Sequence, residues 1–341
     1  MSNLSPPVLN ASTPTLADWM ELQTLASPRH RTNDSELIAI GQVESDPDED
    51  DTIEADAHLE NLAAEVFDEL DRRSKATNGC YPFTINDAGT MLLLRDGTLE
   101  SGPYAYLFCL LVSEFRRQQM IARSVFAPVE SEVPHLFQVC STVAAAGLLR
   151  GAAVSFGSPR PDGSGFLTAL RRTYEERMRE GRTEHSARPG VTSHTKDGGI
   201  DVIAWRDFPD GLPGKLYLLG QCASGSGYPS KGTRSFIGSF HGDWFNVAPA
   251  SPPIEALFIP FMLDHDLTVR RSETLSVARA GRYLSLTRDL GVILDRCRIA
   301  CLVEEGIAVA RDKPEWVERA CEMTQVRNWV DTVWTGLKAP Q

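Results

Sequence analysis

The sequence lacks any apolar run long enough to span a membrane. Its longest apolar stretches are PYAYLFCLLV at 103–112 and VAAAGLL at 143–149, whereas a membrane-spanning helix needs about 20 such residues. The first 20 residues also lack the basic start and apolar run of a signal peptide. We therefore expect a cytoplasmic protein without a membrane partner.

Paired cysteines are missing too. The seven cysteines are an odd number and include no CxxC pair, a pattern that argues against a disulfide framework and against a zinc cluster. Cys297 and Cys301 are four residues apart and share a helical face, but they have no partnering His or Cys nearby. We expect reduced thiols, with this pair in an ordinary core.

Two catalytic motifs are absent from the glycine-rich stretch GQCASGSG at 220–227. It begins as GxxxxG, but Ser226 and Gly227 stand where a Walker A loop has Lys and then Ser or Thr. Neither Ser224 nor Ser226 has the flanking glycines of a GxSxG nucleophile elbow. The glycines at 225 and 227 either turn the chain or let a sugar-phosphate chain pass close to the backbone.

An overall excess of positive charge is absent, but the charge is unevenly distributed. The net charge is −12, and residues 44–56 hold eight acids and no bases, so they account for −8 of that total. Such a run predicts a mobile, solvent-exposed loop. Residues 171–234 hold eleven Lys or Arg and eight Asp or Glu, a local +3, so a surface in the C-terminal half can face a polyanion.

Composition divides the chain into four parts. We predict a disordered and acidic segment over 1–56, an N-terminal α+β or helical module over 57–155, a second unit over 156–265 and a C-terminal helical region over 266–341. The N-terminal module shows helix spacing over 57–75, a hairpin of CYPFTIN and TMLLLRD, and apolar helices over 103–121 and 133–149.

The second unit begins after the Gly- and Pro-rich stretch FGSPRPDGSG at 156–165. It contains a predicted helix over 166–180, two apolar strands over 200–205 and 215–223, a helix that follows Ser230 and a buried strand over 254–263, with a further short strand near 190–195. Strands this apolar are typical of a sheet covered on both faces. The order predicts an α/β fold with a mixed β-sheet sandwiched by helices.

Polar side chains stand at the ends of the two apolar strands. Asp201 opens the first strand, and Gln221 and Cys222 close the second. Two oxygen donors at the ends of neighbouring strands are ligands that Mg²⁺ prefers, with a backbone carbonyl and water completing the shell. Asp201, Gln221 and Cys222 are therefore the candidate metal-binding residues. A positively charged group for phosphodiester hydrolysis could come from Lys231.

These residues resemble a known family. DGGIDVIAW followed by LYLLGQC is similar to the strand motif of the PD-(D/E)xK nuclease superfamily, in particular the Mrr-like restriction endonucleases, which have Gln where other members have Glu. The resemblance covers roughly residues 164–262. It implies an αβββαβ nuclease core, a Mg²⁺ or Mn²⁺ cofactor, DNA as substrate and a role in defence against foreign DNA.

The chain departs from the family pattern at one position. The family has Lys two residues after the Gln, and this chain has Ala223 there. Either the lysine role has moved to Lys231, or the site is inactive. The resemblance also implies a further carboxylate from the preceding helix, for which Glu180 is the candidate. The alternative is that Glu180 belongs to a solvated charged face of this helix and has no catalytic role.

The sequence thus predicts a Mg²⁺-dependent endodeoxyribonuclease with Asp201, Gln221, Lys231 and Glu180 as catalytic residues. The alternative is a catalytically inactive subunit of the same fold that binds nucleic acid or serves as a scaffold, and the net charge and the missing in-strand lysine favour it. In either case DNA and a protein partner or regulatory subunit are the expected partners.

Overall fold

The computed structural model describes residues 3–8, 11–44, 52–117, 119–160, 162–190, 196–225, 227–231, 233–263, 267, 269 and 273–338. Its helices and strands are, in chain order, α1 (Thr13–Ala26), β1 (Arg31–Asn33), α2 (Asp34–Glu44), α3 (Thr52–Ala76), β2 (Phe83–Ile85), β3 (Met91–Leu94), α4 (Ser101–Arg117), α5 (Val133–Leu149), β4 (Ala152–Ser155), α6 (Phe166–Arg171, followed by a π-helix Arg172–Met178), β5 (Arg182–Thr183), β6 (Val202–Arg206), β7 (Leu216–Cys222), α7 (Thr233–Trp244), β8 (Phe245–Val247), β9 (Ile254–Phe258), α8 (Leu275–Leu290), β10 (Val292–Leu294), α9 (Arg296–Asp312) and α10 (Met323–Lys338).

A five-stranded mixed sheet lies at the centre, in the order β10-β9-β7-β6-β4. β6 runs antiparallel to both of its neighbours, while β7, β9 and β10 are parallel to one another. The C-terminal ends of β4, β7, β9 and β10 therefore lie at one edge, where β6 begins. We call this the carboxyl edge, and it is the usual place for a ligand in such sheets.

Helices cover both faces of the sheet, as predicted. Alternate residues of a strand point to opposite faces, so Val202 and Leu218 pack in the core that includes α4, α5 and α9, while Ile203 and Leu219 pack against α6 and α7. The prediction of a mixed sheet sandwiched by helices is confirmed. None of the helices in the described ranges is long and apolar enough to cross a membrane.

The prediction that residues 1–56 are disordered is wrong for the described part of that segment. α1 is almost entirely buried, and its acids are paired inside the protein. Asp18 lies 2.8 Å from both Arg73 on α3 and Arg296 on α9, and Glu21 lies 3.0 Å from Arg73. Burial would raise the pKa of Asp18, but the charges of Arg296 and Arg73 hold it well below its usual value.

Several predicted elements are confirmed, and others differ. The helix over 133–149 coincides with α5, and β2 pairs antiparallel with β3 as the predicted hairpin. The helix expected after Ser230 begins instead at Thr233. The acidic run 44–56 is helical at both ends, in α2 and α3, and its residues 45–51 lie outside the described residues. So does most of the short strand predicted near 190–195.

The sheet extends beyond the unit predicted over 156–265. β4 comes from the region assigned to the N-terminal module, and β10 comes from the C-terminal region. Both strands are too short, at 4 and 3 residues, to produce a periodic signal. The outer side of β4 is covered by an isolated bridge between Ala153 and Val317, which shields an otherwise free sheet edge.

Candidate functional site

Asp201 lies at the carboxyl edge, immediately before β6. Its main-chain carbonyl accepts hydrogen bonds from the N–H groups of Phe156 (2.8 Å) and Gly157 (2.9 Å) and from Gln138 Nε2 (3.2 Å). Its own N–H donates to the carbonyl of Gly220 at 2.9 Å. The backbone of Asp201 is therefore held by α5, by the chain after β4 and by β7.

The carboxylate of Asp201 is held as well. Its Oδ2 accepts a hydrogen bond of 2.7 Å from the N–H of Cys222, the last residue of β7. A Cβ at position 157 would lie 2.9 Å from Asp201 Oδ1 and 2.7 Å from Gln138 Nε2. Only glycine fits at 157 without moving the carboxylate or the Gln138 amide, so this glycine is part of the site.

The electrostatic environment of Asp201 favours its neutral form. Burial raises the pKa of Asp201 from 3.8 to about 6 and outweighs the hydrogen bond from Cys222, which acts in the opposite direction. The nearby carboxylate of Asp197 raises this pKa further, while the charge of Lys231 lowers it. A half-buried carboxyl group with a raised pKa at the carboxyl edge of a sheet is a candidate functional group.

Gln221 and Asp201 lie at the ends of adjacent strands, as predicted, because β6 pairs with β7 in the register that places Val202 opposite Gly220. Gln221 is buried, and its Nε2 donates a hydrogen bond of 2.5 Å to the carbonyl of Gly199. The amide nitrogen of Gln221 thus holds the turn that leads into Asp201. One role of this residue is therefore to position the site.

Cys222 contributes its main chain to the site, and its thiol lies on the opposite face of the sheet from the Gln221 side chain. The thiol packs on the α5 face of the sheet, together with the core that contains Leu218. Burial raises the pKa of the Cys222 thiol well above its usual value, so the sulfur is not a thiolate ligand. The assignment of Cys222 as a metal ligand is thus limited to its carbonyl oxygen.

Lys231 lies near Asp201 but does not pair with it directly. It follows the short 3-10 turn Tyr228–Ser230, its side chain is exposed, and its charge lowers the pKa of the Asp201 carboxyl. Among the described residues, none has a carboxylate at ion-pair distance from its ammonium group. Ala223, at the family's lysine position, is buried in an apolar cluster with Leu257.

Glu180 does not belong to this site, so its assignment as a catalytic residue is corrected. Its buried carboxylate accepts hydrogen bonds from the N–H groups of Gly214 (3.0 Å) and Lys215 (3.3 Å). These residues precede β7, and Gln221 lies near the other end of that strand, so about 20 Å separate the two positions. The π-helix and the left-handed Arg179 (φ 57°) direct Glu180 to the opposite edge.

The turn before Asp201 contains a further acid. Asp197 Oδ1 accepts a hydrogen bond of 2.9 Å from the N–H of Gly199, which is the usual role of Asp in a tight turn. Its charge nevertheless reaches Asp201, as the raised pKa shows.

Sequence reasoning missed three residues that shape this site. Gln138 is one of four polar residues in the largely apolar helix α5, and Gly157 follows the buried strand β4. Arg116, at the end of α4, donates from Nη2 to Ser224 Oγ at 3.1 Å and so reaches the loop after β7. No local pattern distinguishes Gln138 from the other polar residues of α5, and the Arg116 contact joins residues 108 positions apart.

The oxygen atoms at the carboxyl edge are suited to a divalent ion whose remaining ligands are water and substrate phosphates. Within the described residues, no group of three or more His, Cys, Asp or Glu side chains is placed to hold a metal ion by itself. Asp201 and Asp197 are close enough to raise the pKa of Asp201, and a bound cation would relieve that repulsion. Mg²⁺ is commonly held by one or two carboxylates together with water and substrate phosphates.

Comparison with protein-family models, with curated proteins and with solved structures found no match to this chain.

Proposed function

We propose that the protein is a Mg²⁺- or Mn²⁺-dependent nuclease that hydrolyses DNA phosphodiester bonds at the carboxyl edge. The observation that carries the proposal is Asp201, whose half-buried carboxyl group is raised in pKa and accepts a hydrogen bond from the N–H of Cys222, and whose main chain is held by α5, by the chain after β4 and by β7. Keeping a carboxylate in so unfavourable a place costs stability, and such costs are typical of functional residues.

Asp201, the carbonyl of Cys222 and the side chain of Gln221 would hold the ion, with Asp197 as a second carboxylate. When bound, a divalent ion lowers the pKa of a coordinated water and polarises a phosphoryl oxygen. Because the pKa of Asp201 is about 6, its carboxylate is ionised at neutral and higher pH. Lys231 supplies an exposed positive charge beside it, which attracts the phosphate of the substrate.

The test is cleavage of duplex DNA by the purified protein with Mg²⁺ or Mn²⁺, and with EDTA as the metal-free control. Asp201→Asn keeps the shape of the side chain and removes its charge, so cleavage should fall to background. Asp210→Asn is the matched control, because Asp210 is exposed on the β6–β7 hairpin and, among the described residues, its side chain accepts a hydrogen bond only from the N–H of Leu212. Cleavage by the Asp201→Asn variant at the wild-type rate would contradict the proposal.

A second function is a nucleic-acid-binding subunit that uses the same edge without catalysis. Two observations favour it: the Lys231 ammonium is exposed and not ion-paired with Asp201, and the amide nitrogen of Gln221 is bonded to Gly199. This function predicts binding of DNA in EDTA and no cleavage with any divalent ion, including after addition of the protein's natural partner. Metal-dependent cleavage that Asp201→Asn abolishes would exclude it.

A further inference from the structure

A row of positive side chains lies beside the candidate site, and one of them comes from outside the segment that resembles a nuclease. Arg116, at the end of α4, is exposed, and its Nη2 donates to Ser224 Oγ at 3.1 Å. Ser224 is two residues beyond the end of β7. The hydrogen bond therefore places the Arg116 guanidinium at the loop 223–231, which ends in Lys231.

Arg123 is a further positive side chain close to Arg116. The two guanidinium groups lie 5.2 Å (Arg116) and 5.6 Å (Arg123) from the centre of the same Phe115 ring. Arg123 is paired with Glu130 at 3.0 Å, whereas among the described residues no carboxylate lies at ion-pair distance from Arg116 or from Lys231. Arg116 and Lys231 are therefore two exposed cations at the loop 223–231 that make no ion pair with a described carboxylate.

The loop between these cations is open. Among the described atoms, none lies within 4 Å of the position that a Cβ would take at Gly225 or Gly227. Tyr228 is buried against Phe261, with ring centres 5.0 Å apart, and fixes the end of the loop. A chain of phosphates could thus approach the backbone here without displacing a side chain.

We propose that Arg116 and Lys231 bind two phosphates of a nucleic-acid backbone that crosses the loop 223–231 on its way to Asp201. That the nucleic acid runs towards Asp201 rests on the proposed function, but the two phosphate contacts do not require cleavage. Exposed Arg and Lys that face phosphates contribute sequence-independent affinity that falls with salt, because each contact releases bound counterions. α4 thereby becomes part of the nucleic-acid interface.

The experiment measures binding of a fluorescent DNA duplex by anisotropy in EDTA, so that no metal-dependent cleavage occurs, over a range of salt concentrations. Arg116→Gln and Lys231→Gln should each weaken binding severalfold and reduce the slope of log affinity against log salt by about 1. The matched control is Arg311→Gln, because Arg311 is 68% exposed and lies 4.0 Å from Glu100. It stands near the far end of α9, about 22 Å from the carboxyl edge.

A Ser224→Ala variant tests how much the position of Arg116, as distinct from its charge, contributes to DNA affinity. Loss of the hydroxyl removes the 3.1 Å hydrogen bond and keeps every positive charge, so affinity should fall by less than in Arg116→Gln while the salt slope stays nearly unchanged. Circular dichroism of each variant checks that the fold is retained.

The outcomes separate this inference from the proposed function. Wild-type affinity and salt slope in both Arg116→Gln and Lys231→Gln would overturn the inference, as would the absence of DNA binding at low salt. If metal-dependent cleavage were observed together with either of these results, the inference would fail but the proposed function would not. Binding that depends on Arg116 and Lys231 without cleavage under any condition would support the inference and contradict the proposed hydrolysis.

Discussion

Asp201→Asn should make the protein more stable at alkaline pH. The pKa of Asp201 is raised from 3.8 to about 6, a difference of roughly 2 units, and each unit corresponds to about 1.4 kcal/mol. The folded protein holds this proton more tightly than the unfolded chain, so the contribution of Asp201 to stability is greatest below pH 4 and declines as the pH rises from 4 to 6. Above pH 6 the buried charge costs up to about 3 kcal/mol, which the neutral Asn avoids.

Urea unfolding of the wild type and of Asp201→Asn at pH 8 and at pH 4 measures this effect. The free energy of unfolding should differ by up to about 3 kcal/mol at pH 8 and by little at pH 4. Asp210→Asn, an exposed control, should show no such pH dependence. Equal stability of Asp201→Asn and wild type at both pH values would refute the argument that burial raises the pKa. A gain in stability combined with loss of cleavage would identify Asp201 as functional.

Two further predictions concern groups outside the metal-binding set. Burial and the charge of Asp18 raise the pKa of Glu114 from 4.5 to about 7, although the charges of Arg117 and Arg296 lower it. Glu114→Gln should therefore raise the free energy of unfolding in urea by about 3 kcal/mol at pH 8 and hardly at pH 4.5. An equal effect at both pH values would contradict this. Gly157→Ala should cost about 1 kcal/mol in the same unfolding assay, the low end of the overpacking range, because its Cβ would lie 2.7 Å from Gln138 Nε2, the end of a side chain that can shift; a loss of several kcal/mol would contradict this.

The sequence was sufficient for elements with a strong periodic or apolar signal. α5 is largely apolar, and β6 and β7 are apolar on both faces, so their positions were predicted within a few residues. α1 was not predicted, because Asp18 and Glu21 make its sequence resemble a solvated segment. Their partners, Arg73 and Arg296, are 55 and 278 residues from Asp18 along the chain, and no local pattern announces such pairs.

The candidate site was predicted in part for the same reason. Asp201 and Gln221 stand at the ends of neighbouring strands, and strand pairing is a local consequence of the hairpin between them. Glu180 was assigned wrongly because a regular helix to residue 180 was assumed, whereas a π-helix and a left-handed residue change the direction of the chain. Gln138, Gly157 and Arg116 reach the site only through the tertiary fold.

Lys231 is expected to contact phosphate under both candidate functions. In the family pattern the lysine stands on the strand, but Ala223 at that position is 4% exposed and packs in an apolar cluster with Leu257 and Ile259. A lysine there would have to bury its charge among apolar side chains, which is costly without a partner. The exposed Lys231 avoids that cost and keeps its charge close enough to lower the pKa of Asp201. An exposed ammonium is a good phosphate contact whether or not the bound strand is cut. Loss of DNA affinity in Lys231→Gln is therefore expected under both functions, and the two are separated by metal-dependent cleavage in the wild type and its loss in Asp201→Asn.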